Sequence, residues 1–271
     1  MREYQQSAFS GQQSGNNYWQ QNIELRTNFF FYLGSMKLFF IRFLKSLFIW
    51  LRLHVFYRYF TGINLNFVYI TKLSEWVSKQ STPINDFWSK WDYNKRYPFY
   101  ETIIQHEGLQ GPVNYLEFGV ATGKSFQWWL QQNRDPASRF YGFDTFDGLP
   151  EDWGSYKKGA FGTNHQVPVI NDDRGSFYKG LFQQTLPDFL KQFDHSKRMV
   201  LMMDADLYSA KLYVSTSLAP FLKKGDVILF DEFVVPTHEF MAFHHFVQAY
   251  YIDLELIGAA NNYYFAAFRV K

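Results

Sequence analysis

From Val113 to the C-terminus, short apolar runs alternate with segments of helical spacing, and nothing else in the chain limits its fold so strongly. The first five runs each end at or beside a glycine or an acid, and each is too short for a helix. Strands are predicted near Tyr115 to Gly119, Arg139 to Phe143, Ser176 to Gly180, Met199 to Asp204, Asp226 to Asp231, Asp253 to Ile257 and Tyr263 to Val270. Helices fit near Lys124 to Gln132, Phe182 to Gln192, Ser209 to Leu222 and Glu239 to Tyr250. Gly225 sits where a helix should stop before the fifth strand. Strand–helix–strand repetition builds a parallel sheet. The last two strands have no helix between them, and Ala259, Ala260, Asn261 and Asn262 read as their turn, so they should pair antiparallel.

The region before Val113 reads differently. Residues 1–27 are polar, rich in Gln, Asn and Ser, and lack the apolar core of a signal peptide; they are expected to form a disordered tail. Residues 28–108 are expected to be an aromatic and basic helical extension, and 109–271 the α/β domain. Phe29, Phe30, Phe31, Phe39, Phe40, Phe43, Phe48 and Trp50 crowd residues 28–60, interrupted by Lys37, Arg42, Lys45, Arg52 and Arg58. No uncharged window of roughly 18 residues exists, so a spanning helix is not expected. The cations fall on about half of a helical wheel. Helices packed on the α/β domain or on a second subunit account for this pattern, and so does a helix lying in an anionic membrane surface. Residues 73–107 read as helical pieces broken at Pro83 and Pro98, with Trp88 and Trp91 packed inward.

Bulk numbers exclude whole classes. A net charge of +2 does not argue for a nucleic-acid partner. The absence of cysteine removes disulfides, zinc–thiolate sites and cysteine nucleophiles, and fits a reducing cytoplasm.

The chemistry gathers at the predicted strand ends. Glu117-Phe118-Gly119-Val120-Ala121-Thr122-Gly123-Lys124-Ser125 is a strand, a glycine turn and a helix start. Gly119 allows a tight turn, Gly123 a close approach of ligand to backbone, and the free N–H groups of the helix suit a carboxylate or a phosphate equally. Gly123-Lys124-Ser125 mimics the end of a phosphate loop, but Phe118 stands where such a loop needs an upstream glycine. Asp144 ends the next strand, where an acid can accept both hydroxyls of a ribose. Asp204 and Asp206 follow the fourth strand, and Asp231 and Glu232 the fifth. Four acids gathered at one sheet edge repel one another unless neutralised, and a divalent cation with oxygen ligands would do so. His238, His244 and His245 lack zinc-protease spacing and read as packing or wall residues of an aromatic helix.

With these motifs in order, the chain resembles the macrocin O-methyltransferase family of class I S-adenosylmethionine-dependent enzymes. The resemblance runs from Tyr115 to Phe268. It rests on Glu117-Phe118-Gly119, on Gly142-Phe143-Asp144-Thr145-Phe146-Asp147-Gly148-Leu149-Pro150, on Gly180-Leu181-Phe182 with Thr185-Leu186-Pro187, on Asp204-Ala205-Asp206-Leu207-Tyr208, and on the stretch from Gly225 to Phe233. It implies a Rossmann-like seven-stranded, mostly parallel sheet with an antiparallel last strand; the N-terminal helical extension lies outside what it covers. It implies that Glu117, Gly119 and Gly123 line the methionine part of S-adenosylmethionine, with Ser125 at the helix start. Asp144 would hold the ribose, and Gly180 and Phe182 would border the adenine. Asp204, Asp231 and Glu232 sit where the family places Mg2+ ligands, and Asp206 where it places a general base. The chain departs from the pattern at Glu232, where the family has aspartate, and at Ser209-Ala210-Lys211, where it has Ser-Thr after the tyrosine.

The expected activity is methyl transfer to a hydroxyl of a sugar, glycan or other natural-product acceptor, assisted by a divalent cation. Rival readings are a non-catalytic binding protein of the same fold, recruited to a membrane or partner, and a phosphate-binding enzyme using Gly123-Lys124-Ser125. A homo-oligomer is left open.

Overall fold

The structure, a computed structural model, describes residues 34–271, which fall into two compact units divided between Ile63 and Asn64. The polar tail and Phe29, Phe30 and Phe31 lie outside the described residues. In the first unit, residues 34–50 are helical (α1), a turn with Arg52 at positive φ follows, and helix α2 (His54–Ser78) begins. No helix among the described residues is long and apolar enough to cross a membrane.

The second unit, Asn64–Lys271, is built on one sheet of seven strands: β1 (Val113–Phe118), β2 (Arg139–Asp144), β3 (Gly175–Lys179), β4 (Arg198–Met203), β5 (Val227–Phe230), β6 (Leu254–Ala260) and β7 (Phe265–Val270). Their order is β3-β2-β1-β4-β5-β7-β6. The first five pair in parallel, and β7 pairs antiparallel with both β5 and β6. The sheet is therefore the Rossmann-like one expected. Besides α2, the helices are α3 (Arg96–Glu107), α4 (Lys124–Gln132), α5 (Phe182–Leu190), α6 (Tyr208–Leu218) and α7 (Met241–Tyr250).

Alternation along the strands sorts the core into two layers. Leu116, Phe118, Leu201, Met203, Ile228 and Phe230 pack with α5, α6, α7 and the end of α2. There Trp76 meets Phe233, Phe243 and Phe268 at ring distances of 5.2 to 5.9 Å. Tyr115, Phe140, Val200, Met202, Val227 and Leu229 face the other way, onto Phe99, Tyr100, Ile103 and Ile104 of α3 and Phe126, Trp129 and Leu130 of α4. Helix α3 thus belongs to this unit's core, upstream of the 109 boundary expected from sequence.

Other details differ from expectation for local reasons. Pro98 does not break a helix: it is the third residue of α3, in the first turn, where a missing N–H costs nothing. The β6–β7 turn is displaced to Asn261, Asn262 and Tyr263, all at positive φ, and Ala259 and Ala260 stay in β6; asparagine tolerates that conformation better than alanine does. Trp88 and Trp91 do not pack inward but are 87% and 56% exposed. The segment that carries them is tied to the β6–β7 turn by its backbone: Ser89 N–H donates to Asn262 Oδ1 and Asp92 N–H to Asn261 Oδ1, at 3.0 and 2.8 Å.

Candidate active site

The strand register builds the site. Phe118 of β1 pairs with Phe143 of β2 and Met203 of β4, and Met203 with Phe230 of β5. The next residue of each strand is then Gly119, Asp144, Asp204 or Asp231, in one row along the C-terminal edge. Strand order reverses between β1 and β4, which is where open α/β sheets leave a crevice. A cavity of about 470 Å³ opens there, lined by Gly119, Asp144, Phe182, Asp204, Asp206, Asp231 and Glu232 among others. Its size is that of a small-molecule or cofactor site.

The glycine turn is held by Asp144. Its Oδ2 accepts the N–H groups of Val120 and Ala121, both at 2.8 Å, and its Oδ1 accepts that of Phe146 at 2.7 Å. Gly119, at φ +96°, runs so close to β4 that a Cβ would lie 1.8 Å from the Asp204 carbonyl oxygen. Phe182 sets its ring edge-on to Phe118 and forms the far wall.

Four expected residues do not line the cavity. Glu117 shares the strand face of Tyr115, so it points into the α3–α4 layer and is fully buried. Its Oε2 accepts the Tyr115 hydroxyl at 2.6 Å, its Oε1 has no partner, and burial pushes its carboxyl up to about 8. Ser125 is buried with its hydroxyl unpartnered. Gly123, at φ +78°, starts α4, but the space a Cβ would need is taken by Pro168, 2.9 Å away, rather than by an open groove. Gly180 precedes the wall without lining it. The phosphate-loop reading fails on the same geometry, since the Ser125 hydroxyl is sealed in and Lys124 points to solvent.

Charge among the acids is set by Arg96, which sequence reasoning missed. This guanidinium, on the first turn of α3, is 8% exposed. Its Nη2 meets Asp204 Oδ2 at 2.5 Å, its Nη1 lies 3.7 Å from Asp231 Oδ2, and it donates to the hydroxyls of Tyr93 (2.8 Å) and Tyr100 (3.2 Å). The only sequence sign of this arrangement is one arginine among the aromatics of Arg96-Tyr97-Pro98-Phe99-Tyr100. Burial and the Asp204 charge push the Asp231 carboxyl well up. Glu232, at φ +58°, accepts the Tyr264 hydroxyl on Oε1. Lys211, at the family departure, is fully buried and paired with Glu239 at 2.7 Å. Burial alone would lower its pKa, but the carboxylates of Glu239, Asp206 and Asp204 hold it up.

Asp206 stands apart. It lines the cavity at φ +56°, in the sparsely populated left-handed region that functional residues often occupy. Burial, and then the Asp204 charge, push its carboxyl up to about 7. A rim of Trp153, Tyr156 and Phe161 faces the acids, with ring distances of 5.3 Å and 4.8 Å between successive members. The helix histidines pack: His245 bridges the hydroxyls of Tyr69 and Tyr208 at 2.6 and 2.9 Å.

The residues expected to ligate Mg2+ do not fit it as arranged. Asp231 Oδ1 and Glu232 Oε2 are buried without partners, which a cation could use. Arg96, however, already pairs with Asp204 and lies 3.7 Å from Asp231 Oδ2, and no group of three His, Asp or Glu among the described residues is placed to hold a metal.

Residues 116–233 match the family model described as a methyltransferase domain. Among solved structures, CalS11, described as a calicheamicin methyltransferase, aligns with a TM-score of 0.53 at 20% identity over 66% of this chain and 80% of its own. NovP, described as an O-methyltransferase, aligns with a TM-score of 0.50 at 20% identity over 65% and 79%. Both likenesses are in the fold. No curated protein matches the chain.

Proposed function

We propose that this class I S-adenosylmethionine-dependent methyltransferase delivers its methyl group to a hydroxyl oxygen, with the Asp206 carboxylate as general base. The observation that carries the reading is the row of Gly119, Asp144, Asp204 and Asp231 around one cavity that Asp206 also enters. S-adenosylmethionine supplies an electrophilic methyl carried on a positive sulfur. The chain's own residues would hold it at the Gly119 turn, at Asp144, whose carboxylate keeps lone pairs beyond its three backbone partners, and against Phe182.

An acceptor hydroxyl is a weak nucleophile because its proton is tightly held. A carboxyl near 7 is matched to taking that proton at neutral pH, which contributes typically 10²- to 10⁴-fold to the rate. Arg96 holds Asp204 and Asp231 in place and offsets part of their charge, and the Asp204 charge that remains helps to raise the base. Trp153, Tyr156 and Phe161 offer ring faces on which a sugar or another ring-bearing natural product can stack. The CalS11 and NovP descriptions accord with such an acceptor, the first naming calicheamicin and the second O-methyl transfer.

Calorimetry with S-adenosylhomocysteine and transfer of labelled methyl to a panel of glycosides test the reading. The Asp206→Asn protein should bind S-adenosylhomocysteine as the unchanged protein does, while its turnover falls by about 10² or more. Near-normal turnover of that variant would remove Asp206 from the mechanism. Failure of the unchanged protein to bind S-adenosylhomocysteine would remove the mechanism itself.

A further inference from the structure

The first unit presents a surface that methyl transfer does not use. Between residues 34 and 63, every side chain but Leu47 and Leu53 is exposed, although most are large and apolar. Trp50 is 77% exposed, Ile49 75% and Tyr59 70%. A helix apolar on so much of its circumference is stable in water only against a partner.

The pattern is ordered. Met36, Phe39, Phe40, Phe43, Leu47 and Trp50 of α1 recur three and four apart, which puts them on one side. Phe39 stacks on Phe43 at 6.5 Å along it. Lys37, Arg42 and Lys45 fall on the remaining circumference. In α2, Phe56, Tyr59, Phe60 and Ile63 repeat the spacing. Lys37, Arg42, Lys45, Arg52 and Arg58 are accompanied by no Asp or Glu anywhere from 34 to 63.

This charge decides between occupants. A second copy of the unit would set five cations against five with no carboxylate to relieve them. An uncharged apolar partner would leave the cations without a counterpart. Neither helix is long and apolar enough to cross a bilayer. An anionic bilayer surface satisfies both features at once: the aromatic side enters the headgroup–acyl boundary, and Lys and Arg reach the lipid phosphates. Trp and Tyr favour that depth. We infer that residues 34–63 dock the chain on an anionic lipid surface, independently of what the α/β unit catalyses.

Co-sedimentation of the full chain with vesicles tests this. Binding to phosphatidylcholine vesicles carrying about a third phosphatidylglycerol, which gives them a negative surface potential, should exceed binding to pure phosphatidylcholine by about tenfold or more. It should fall as salt rises from about 0.1 to 1 M, where screening shortens to about 3 Å. The triple variant Lys37→Glu, Arg42→Glu, Lys45→Glu should lose most binding to the charged vesicles. Phe39→Ser with Phe43→Ser should lose it too, without changing the melting temperature, because both rings are solvent-exposed. No binding, equal binding to neutral vesicles, or unchanged binding of the charge variant would each overturn the inference. So would a stable dimer in sedimentation velocity that no longer binds vesicles.

Discussion

Arg96 decides how the acids of the site coexist. Asp204 and Asp231 end neighbouring strands, and without the guanidinium they would be two adjacent carboxyls that have lost the cation paired with Asp204. Removing one partner of such a buried pair typically costs about 3–5 kcal/mol. Arg96→Met is therefore expected to lower the melting temperature by roughly 10 °C. Arg96→Ala should in addition open the carboxylates to an ion: Mn2+ binding, followed by electron paramagnetic resonance, should appear in this variant and be absent from the unchanged protein, whose turnover should survive EDTA. Loss of turnover in EDTA would restore the metal to the mechanism. Glu117 carries a different consequence. Its carboxyl titrates near 8 in the fold against an ordinary value of 4.5. Between those values the folded chain binds a proton that the unfolded chain has released, so stability falls as pH rises, by up to roughly 1.4 kcal/mol per pH unit. Glu117→Gln should flatten the dependence of melting temperature on pH between about 5 and 8.

At the scale of elements, the first five strands were legible because each is a short apolar run closed by a glycine or an acid, and helix α4 coincides with its predicted span from Lys124 to Gln132. Asp144, Asp204 and Asp231 were legible for the same reason, since they stand where the strands stop. What escaped was carried by side-chain direction and by loops. That Glu117 looks into the α3–α4 layer follows from strand parity, which needs the neighbouring layer to be known. That Arg96 reaches β4 depends on the placement of α3, and no motif marks it. The rim of Trp153, Tyr156 and Phe161 comes from a long β2–β3 connection without helical or strand period, so its convergence on the cavity could not be read. Trp153→Ala is expected to raise KM for the acceptor about tenfold with little change in kcat, the signature of a stacking wall rather than of chemistry. Gly119→Ala should be far less tolerated: with φ at +96° and the Asp204 carbonyl in the way, β1 and β4 would have to part at their ends. Binding of S-adenosylhomocysteine measured by calorimetry should be lost in that variant.

For the whole molecule, the tie between the segment before α3 and the β6–β7 turn matters beyond packing. Asn85 donates to the Tyr263 hydroxyl at 2.9 Å, Ser89 and Asp92 fasten to Asn262 and Asn261, and Tyr264 beside them donates to Glu232. The segment before α3 and the final hairpin are thus stitched together next to Glu232 of the candidate site. A polypeptide begun at residue 109 would contain each strand, each helix of the resemblance and each acid, yet it would arrive without its counter-ion and with its final hairpin unmoored. Whoever trims this chain to its recognisable motifs should expect to obtain an inert remnant, and whoever grafts its pocket elsewhere must bring Arg96 along.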